Sequence, residues 1–383
     1  MSDSMIKVAQ PFVGEEEAAA VKEVLLSGRY VSGPRVEAFE KAFADYCGSG
    51  FGVAVNSGTA ALHIALAVAG VGPGDEVIVP PLTFFSTVSA VLMQNAVPIF
   101  ADIDPDSYCL DPTDVRRRIT PRTRAVIPVH LFGNSADMDS MLEIGREHNL
   151  IVIEDAAQAH GTEHKGRKVG SIGDMGAFSF FATKHMTTGE GGIILTDDPQ
   201  TADLARKIRS HGMTDRDTHL MLGHNYRMNE IAAAIGLVQL RKLDDLNNKR
   251  IVNSLYLREL LEKAAIPWLK LPVLNRNIHH TFFWFPIRIN EERLGRSVPV
   301  LINTLREKGV ETRNRYREPL YRQKLFNENH PGLSFIKDRN WPDYESMRLE
   351  NVETIAGKVV GLPNHPGLTR SDIEQVAETL NRL

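Results

Sequence analysis

Cysteine is scarce in this chain of 383 residues: only Cys47 and Cys109 occur, in unrelated contexts. Two thiols without ligand spacing exclude a disulfide framework and a cysteine-built metal centre, and they read as reduced thiols. An excess of either charge is missing too. The formal net charge of -4 offers neither the basic footprint of a nucleic-acid binder nor a polybasic membrane patch. No apolar run approaches the length that spans a bilayer. The stretch MSDSMIKVAQPF has neither the charged n-region nor the apolar h-region of a secretory leader. A cytoplasmic protein without nucleic-acid or membrane partners is therefore expected. Internal repeats and low-complexity tracts are absent as well.

What is present is ordinary for a globular protein, with 43% hydrophobic and 24% charged residues. The first two-thirds alternates short apolar runs with amphipathic stretches. FGVAVNSG, DEVIVPP, VPIFADID, RAVIPVHLFG, NLIVIEDAA, GAFSFFAT and GGIILTD read as strands, and TAALHIALAVAG and FFSTVSAVLMQN as helices. Near-continuous apolar strands separated by helices predict an α/β fold with a mainly parallel sheet covered on both faces. A long helical pattern begins near Met228. Beyond it, TFFWFPIRI reads as a strand, and VPVLINTLREKG and SDIEQVAETLNRL as helices. The expected division is a large domain over 1–245, with an N-terminal arm, and a small C-terminal α+β domain over 246–383.

In α/β sheets ligands sit at the carboxyl ends of strands, which directs attention to three places. NSGTAAL puts Gly58 at a turn and a helix start near Thr59, where free amides and the hydroxyls of Ser57 and Thr59 suit an anion. Taken alone it reads as a plain N-cap. In IVIEDAAQAHG, Asp155 ends a very apolar strand and Gln158 follows, so Asp155 is either a cap or a carboxylate facing a buried cation. In FSFFATKHMTTGEGG, Lys184 and His185 stand side by side before a glycine-rich loop. If the strand ran through them they would face opposite ways and could not share a task. A lysine withdrawn from water becomes a usable amine nucleophile. Together, a phosphate cradle, a later carboxylate and a lysine beyond it fit one ligand, pyridoxal phosphate.

Those stretches, with SGRYVSGPRVEAFEKAFADYCG, DIDPDSYCLDP, VIPVHLFGN, GHNYRMNEIAAAIG and LPNHPGLTRSDIEQV, resemble the DegT/DnrJ/EryC1/StrS family of pyridoxal-phosphate-dependent nucleotide-sugar aminotransferases. The resemblance covers nearly the whole chain and implies the fold-type-I, aspartate aminotransferase-like architecture. It implies that Lys184 is the Schiff-base lysine, Asp155 the partner of the pyridine nitrogen, and Gln158 a contact to the ring hydroxyl. Gly58, Thr59 and Ser179 would hold the phosphate, and Phe84 would stack on the ring. Asn225 would serve the neighbouring subunit's phosphate site, which implies a homodimer with shared sites. Arg227, Arg313, Arg315 and Tyr316 are candidate substrate contacts. The implied reaction is ping-pong transamination of a nucleotide-linked keto-sugar, with L-glutamate as donor and the cofactor alternating between its pyridoxal and pyridoxamine forms.

Other readings compete. A dehydratase branch of the family carries histidine where the lysine stands, and this chain keeps Lys184. A cyclitol aminotransferase, an aromatizing synthase and a non-catalytic cofactor binder are further readings, the last opposed by Lys184, Asp155 and Gln158 together. HGTEH (His160 to His164) matches the H-x-x-E-H pattern of some zinc peptidases, which works only on a helix. Gly161 and the following KGRKVG argue for a loop, so no metal is expected. The acidic pair of DID (Asp102 and Asp104) reads as a loop and not as the metal-binding carboxylates of a glycosyltransferase.

Overall fold

The computed structural model describes residues 5–327 and 341–383, so the first four residues of MSDSMIKVAQPF lie outside the described residues. The strands are β1 (Phe51–Val55), β2 (Glu76–Val79), β3 (Val97–Phe100), β4 (Thr123–Val126), β5 (Ile151–Asp155), β6 (Glu163–His164), β7 (Arg167–Lys168), β8 (Met175–Ser179), β9 (Gly192–Thr196), β10 (Leu269–Lys270), β11 (Ile278–His279), β12 (Phe285–Ile289) and β13 (Val359–Leu362). Seven of them form one sheet in the order β1-β9-β8-β5-β4-β2-β3. Only β9 runs against its neighbours; the pairs β2–β3, β2–β4, β4–β5 and β5–β8 are parallel. The sheet contains all seven apolar runs expected to be strands, each nearly or fully buried because helices cover both faces. The fold is the fold-type-I, mainly parallel α/β architecture.

Helix Glu230–Ala264 is capped by the Asn229 side chain, which accepts from the Ala232 amide at 2.8 Å. It leads to a second unit, where β10, β12 and β13 form an antiparallel sheet covered by helices Val298–Glu307 and Arg370–Asn381. The expected division at 245/246 falls inside this continuous helix, and packing follows other lines. Ile6 belongs to the second core, since its amide donates to the Gly309 carbonyl at 2.8 Å, while Leu349, Val352 and Ile355 belong to the first. The chain thus crosses between the two units more than once. Asp102 helps hold the returning segment on the first unit: its carboxylate accepts from the Asn351 amide at 2.8 Å and the Val352 amide at 3.0 Å, at the start of helix Glu350–Ile355. Asp104 accepts from the Ser107 amide at 2.7 Å, a turn, as the loop reading expected.

HGTEH does not lie on a helix. Its Glu163 and His164 form β6, paired with β7 and β11. His160 is fully buried among Phe43, Phe178 and Phe180.

Candidate functional site

A cavity of about 290 Å³ opens at the carboxyl ends of β1, β5 and β8. It is lined by Gly58, Thr59, Phe84, Asp155, Gln158, Ser179, Lys184, Arg313, Arg315 and Tyr316, ten of the twelve residues singled out from sequence. Asn225 and Arg227 do not line it. They run beside the end of β1, where Val55 bridges Arg227, the Asn56 amide donates to the Tyr226 carbonyl at 2.8 Å, and Asn225 is exposed.

The floor is the start of helix Gly58–Val68. Ser57 caps it, its hydroxyl accepting from the Ala60 amide at 3.1 Å, so this oxygen is committed to the helix as the plain N-cap reading held. The amides of Gly58 and Thr59 find no acceptor among the described residues, as the first amides of a helix must. They leave an anion site with the helix dipole behind it. Glycine is required here for closeness. A Cβ on Gly58 would lie 2.7 Å from the Ser179 Cβ, and one on Gly192 would lie 2.4 Å from the Ser57 carbonyl oxygen. The helix start is therefore pressed against the ends of β8 and β9, which brings Ser179 to the same amides.

Asp155 ends β5 and does not cap a helix. It is 5% exposed, and its carboxylate accepts from the Thr87 hydroxyl at 2.8 Å and the Ala157 amide at 3.2 Å. Burial pushes this carboxyl up from its ordinary range, and Thr87, Ala157 and the nearby Lys184 offset that only partly. Gln158 bridges two distant segments: it accepts from the Phe132 amide at 3.2 Å and donates to the Tyr316 hydroxyl at 2.9 Å. Tyr316 holds φ at 40°, an uncommon value for a bulky residue and one that concentrates at functional sites. Burial pushes its hydroxyl up to about 12.

The strand carrying Ser179 stops there, so alternation does not separate Lys184 from His185. Lys184 sits in a tight turn, its amide donating to the Phe181 carbonyl at 2.9 Å. The residue as a whole is half-buried, but its amine is withdrawn from water and lies 4.9 Å from the Phe283 ring centroid. Burial lowers the amine to about 8; Asp155 works against that shift, and Arg315 and Arg313 add to it. His185 is buried instead, its ring 5.5 Å from His160 and 5.5 Å from Phe283. It does not line the cavity.

Several residues at or behind the cavity wall escaped the sequence reading. Thr87 lies within the LTFFST stretch, where a hydroxyl one helical turn after Phe84 was the available signal. Phe283 and Trp284 carry none, because an aromatic pair in TFFWFPIRI reads as core. They build a wall with Tyr316, whose ring stacks 5.9 Å from Trp284. Arg313 lies 5.8 Å from the Trp284 ring, and Phe84 and Phe181 are exposed hydrophobics at the mouth.

A buried amine nucleophile, a water-excluded carboxylate and a helix-start anion site around one cavity define a pyridoxal-phosphate enzyme. The chain is a fold-type-I pyridoxal-phosphate-dependent aminotransferase. It belongs to the DegT/DnrJ/EryC1/StrS aminotransferase family, whose model matches residues 11–381. The spore coat polysaccharide biosynthesis protein SpsC of Bacillus subtilis is 36% identical over 97% of this chain and 95% of its own. The crystal structure of DesI in the presence of its TDP-sugar product superposes with a TM-score of 0.88 at 30% identity, covering 99% of this chain and 93% of that one. The structure of NtdA from Bacillus subtilis with bound cofactor PMP superposes with a TM-score of 0.84 at 31% identity, covering 96% and 82%.

The residues present fit pyridoxal phosphate. The two amides at the helix start find no acceptor among the described residues, and Lys184 and Asp155 line the same cavity, which together give the anion site, amine and carboxylate that the cofactor needs.

Proposed function

We propose that the chain transaminates a nucleotide-linked keto-sugar with L-glutamate as donor, working as a homodimer. The observation that carries this reading is the amine of Lys184, lowered to about 8 in a cavity that also holds Asp155 and a helix-start anion site. When bound, pyridoxal phosphate supplies an electron sink for the bond broken beside the amino group.

The chain's own groups do the rest. At neutral pH an amine of this basicity keeps a sizeable uncharged fraction, so Lys184 is both nucleophile and proton carrier at the reacting carbons. Asp155, closed off from water and steadied by Thr87, would pair with the protonated ring nitrogen. Gly58, Thr59 and Ser179 would hold the phosphate, and Gln158 the ring hydroxyl, releasing Tyr316 toward the substrate. Phe84 would cover a ring face. Arg313 and Arg315 line the cavity and would meet the negative charges of a nucleotide diphosphate or a donor carboxylate. Asn225 and Arg227, exposed and half-buried beside the site's floor, would serve the neighbouring subunit's site. DesI, whose structure was determined with a TDP-sugar product, supports the sugar-nucleotide substrate.

The test is the visible absorbance of the purified protein before and after L-glutamate alone. A cofactor band that converts on adding glutamate is expected. A band indifferent to glutamate would overturn the donor, and no band even with added pyridoxal phosphate would overturn the role of Lys184.

A further inference from the structure

Away from the catalytic cavity, His164 of HGTEH is a buried histidine that faces a pair of carboxylates. It is 7% exposed, and among the described residues its Nε2 has no partner at hydrogen-bond geometry. That nitrogen lies 3.5 Å from the Asp139 Oδ2, and donor atoms of Asp137, Asp139 and His164 all lie within 4.8 Å of one another. The other ring nitrogen, Nδ1, lies 3.4 Å from the Ser135 hydroxyl, which itself donates to the Ala136 carbonyl at 2.7 Å. An Nδ1–H directed at Ser135 leaves the Nε2 lone pair facing two carboxylates, an arrangement that calls for a cation between them.

We propose that Asp137, Asp139 and His164 form a site for a first-row divalent transition-metal ion such as Zn²⁺, with water completing its shell. Metal–ligand bonds of about 2.0–2.2 Å put tetrahedral neighbours about 3.3–3.6 Å apart, close to the Nε2–Oδ2 separation. One imidazole and two carboxylates suit a borderline metal better than calcium. Lys165 is the resident competitor. Its ammonium pairs with Asp139, and that partner is the first cause holding the Asp139 carboxyl below its usual range. Its side chain is more than half exposed, so it can swing away. Asp137 is positioned by the Ser140 hydroxyl it accepts from at 2.7 Å, at the start of helix Met138–His148. The bound ion would tie that helix to the β6–β7 hairpin and, through the His164–Ile278 pairing, to the strand beyond the long helix. This departs from the expectation of no metal and makes no use of the peptidase reading, because His160 has no part in it.

The experiment is calorimetric titration of Zn²⁺ into chelator-treated, untagged, cofactor-loaded protein and three variants. One ion per chain is expected. Asp139→Asn and His164→Ala should each weaken binding by ~10-fold or more, and Lys165→Met should tighten it by removing the internal competitor. If His164→Ala does not fold, Asp139→Asn and Lys165→Met, both changes of partly exposed side chains, carry the test. No binding, or one affinity shared by the wild-type protein and these variants, would overturn the site.

Discussion

Glu154 and Asp155 are neighbours on β5 with opposite fates. Alternation sends their side chains to opposite faces of the sheet. Glu154 is fully buried and takes four donors: the amides of Gly170 at 2.7 Å, Ile172 at 2.6 Å and Gly173 at 2.7 Å, and the His130 Nε2 at 2.9 Å. The Ala136 amide donates to the other nitrogen of that ring, leaving Nε2 to carry the proton. Burial works to raise Glu154, yet the His130 and amide hydrogen bonds outweigh it and hold the carboxyl below its ordinary range. Asp155 has two donors and is pushed up. A carboxylate saturated with donors is a structural fixture; one left short of them is available to a cationic ligand. The number of donors, and not burial, separates the two roles.

The largest effect should come from Glu154→Gln. An amide NH₂ would face donors it cannot accept from, costing about 3–5 kcal/mol, read as a lowered denaturant midpoint. Asp155→Asn should do the reverse. Activity should fall on the order of 10²–10³-fold, while the cofactor-free protein stays as stable or gains. The sign follows from linkage. Asp155, raised on folding, costs stability once the pH exceeds its unfolded value of about 3.9, and asparagine removes that cost at neutral pH. Glu154, lowered on folding, contributes stability that is present above its unfolded value and is lost as the pH falls through the folded one. Activity retained by Asp155→Asn, or stability retained by Glu154→Gln, would break the contrast.

A smaller effect is expected of Thr87→Val, which takes one of the two donors from Asp155. About 1.5 kcal/mol, or roughly tenfold in kcat/KM, should be lost with little change in melting temperature. The smallest is a shift in a pH profile. Uptake of pyridoxal phosphate by the apoprotein should rise roughly tenfold per pH unit up to about 8 and level off above it, as the uncharged amine of Lys184 accumulates. Since Asp155 supports the charged amine, Asp155→Asn should move that break to lower pH. A profile without a break near 8, or one unmoved in the variant, would separate Lys184 from Asp155.

Much of the fold is legible in the chain because strand and helix periodicities are local. All seven strands of the main sheet, the helix after NSG and the long helix after Met228 follow from apolar patterning. Lys184, Asp155 and the Gly58 turn stand out as candidates as well, since each follows an apolar run, whereas the role expected of Gln158 came from the family resemblance. The turn that takes Lys184 out of the strand is less visible, because Phe180 and Phe181 prolong the apolar pattern beyond Ser179.

Tertiary structure alone decided the rest. Patterning assigns a side chain to a face but not to a partner, so neither the four donors around Glu154 nor the Thr87 hydroxyl on Asp155 is implied by sequence. Gln158 meets Tyr316 across 158 positions, and the wall of Phe283 and Trp284 faces Lys184 across about 100 residues of chain, contacts that only loop closure over long separations creates. The same holds for His164 and Asp139, which are brought together by a hairpin folding onto a helix start. Local chemistry is written residue by residue; the environment that makes one carboxylate a fixture and the next a partner exists only once distant segments pack.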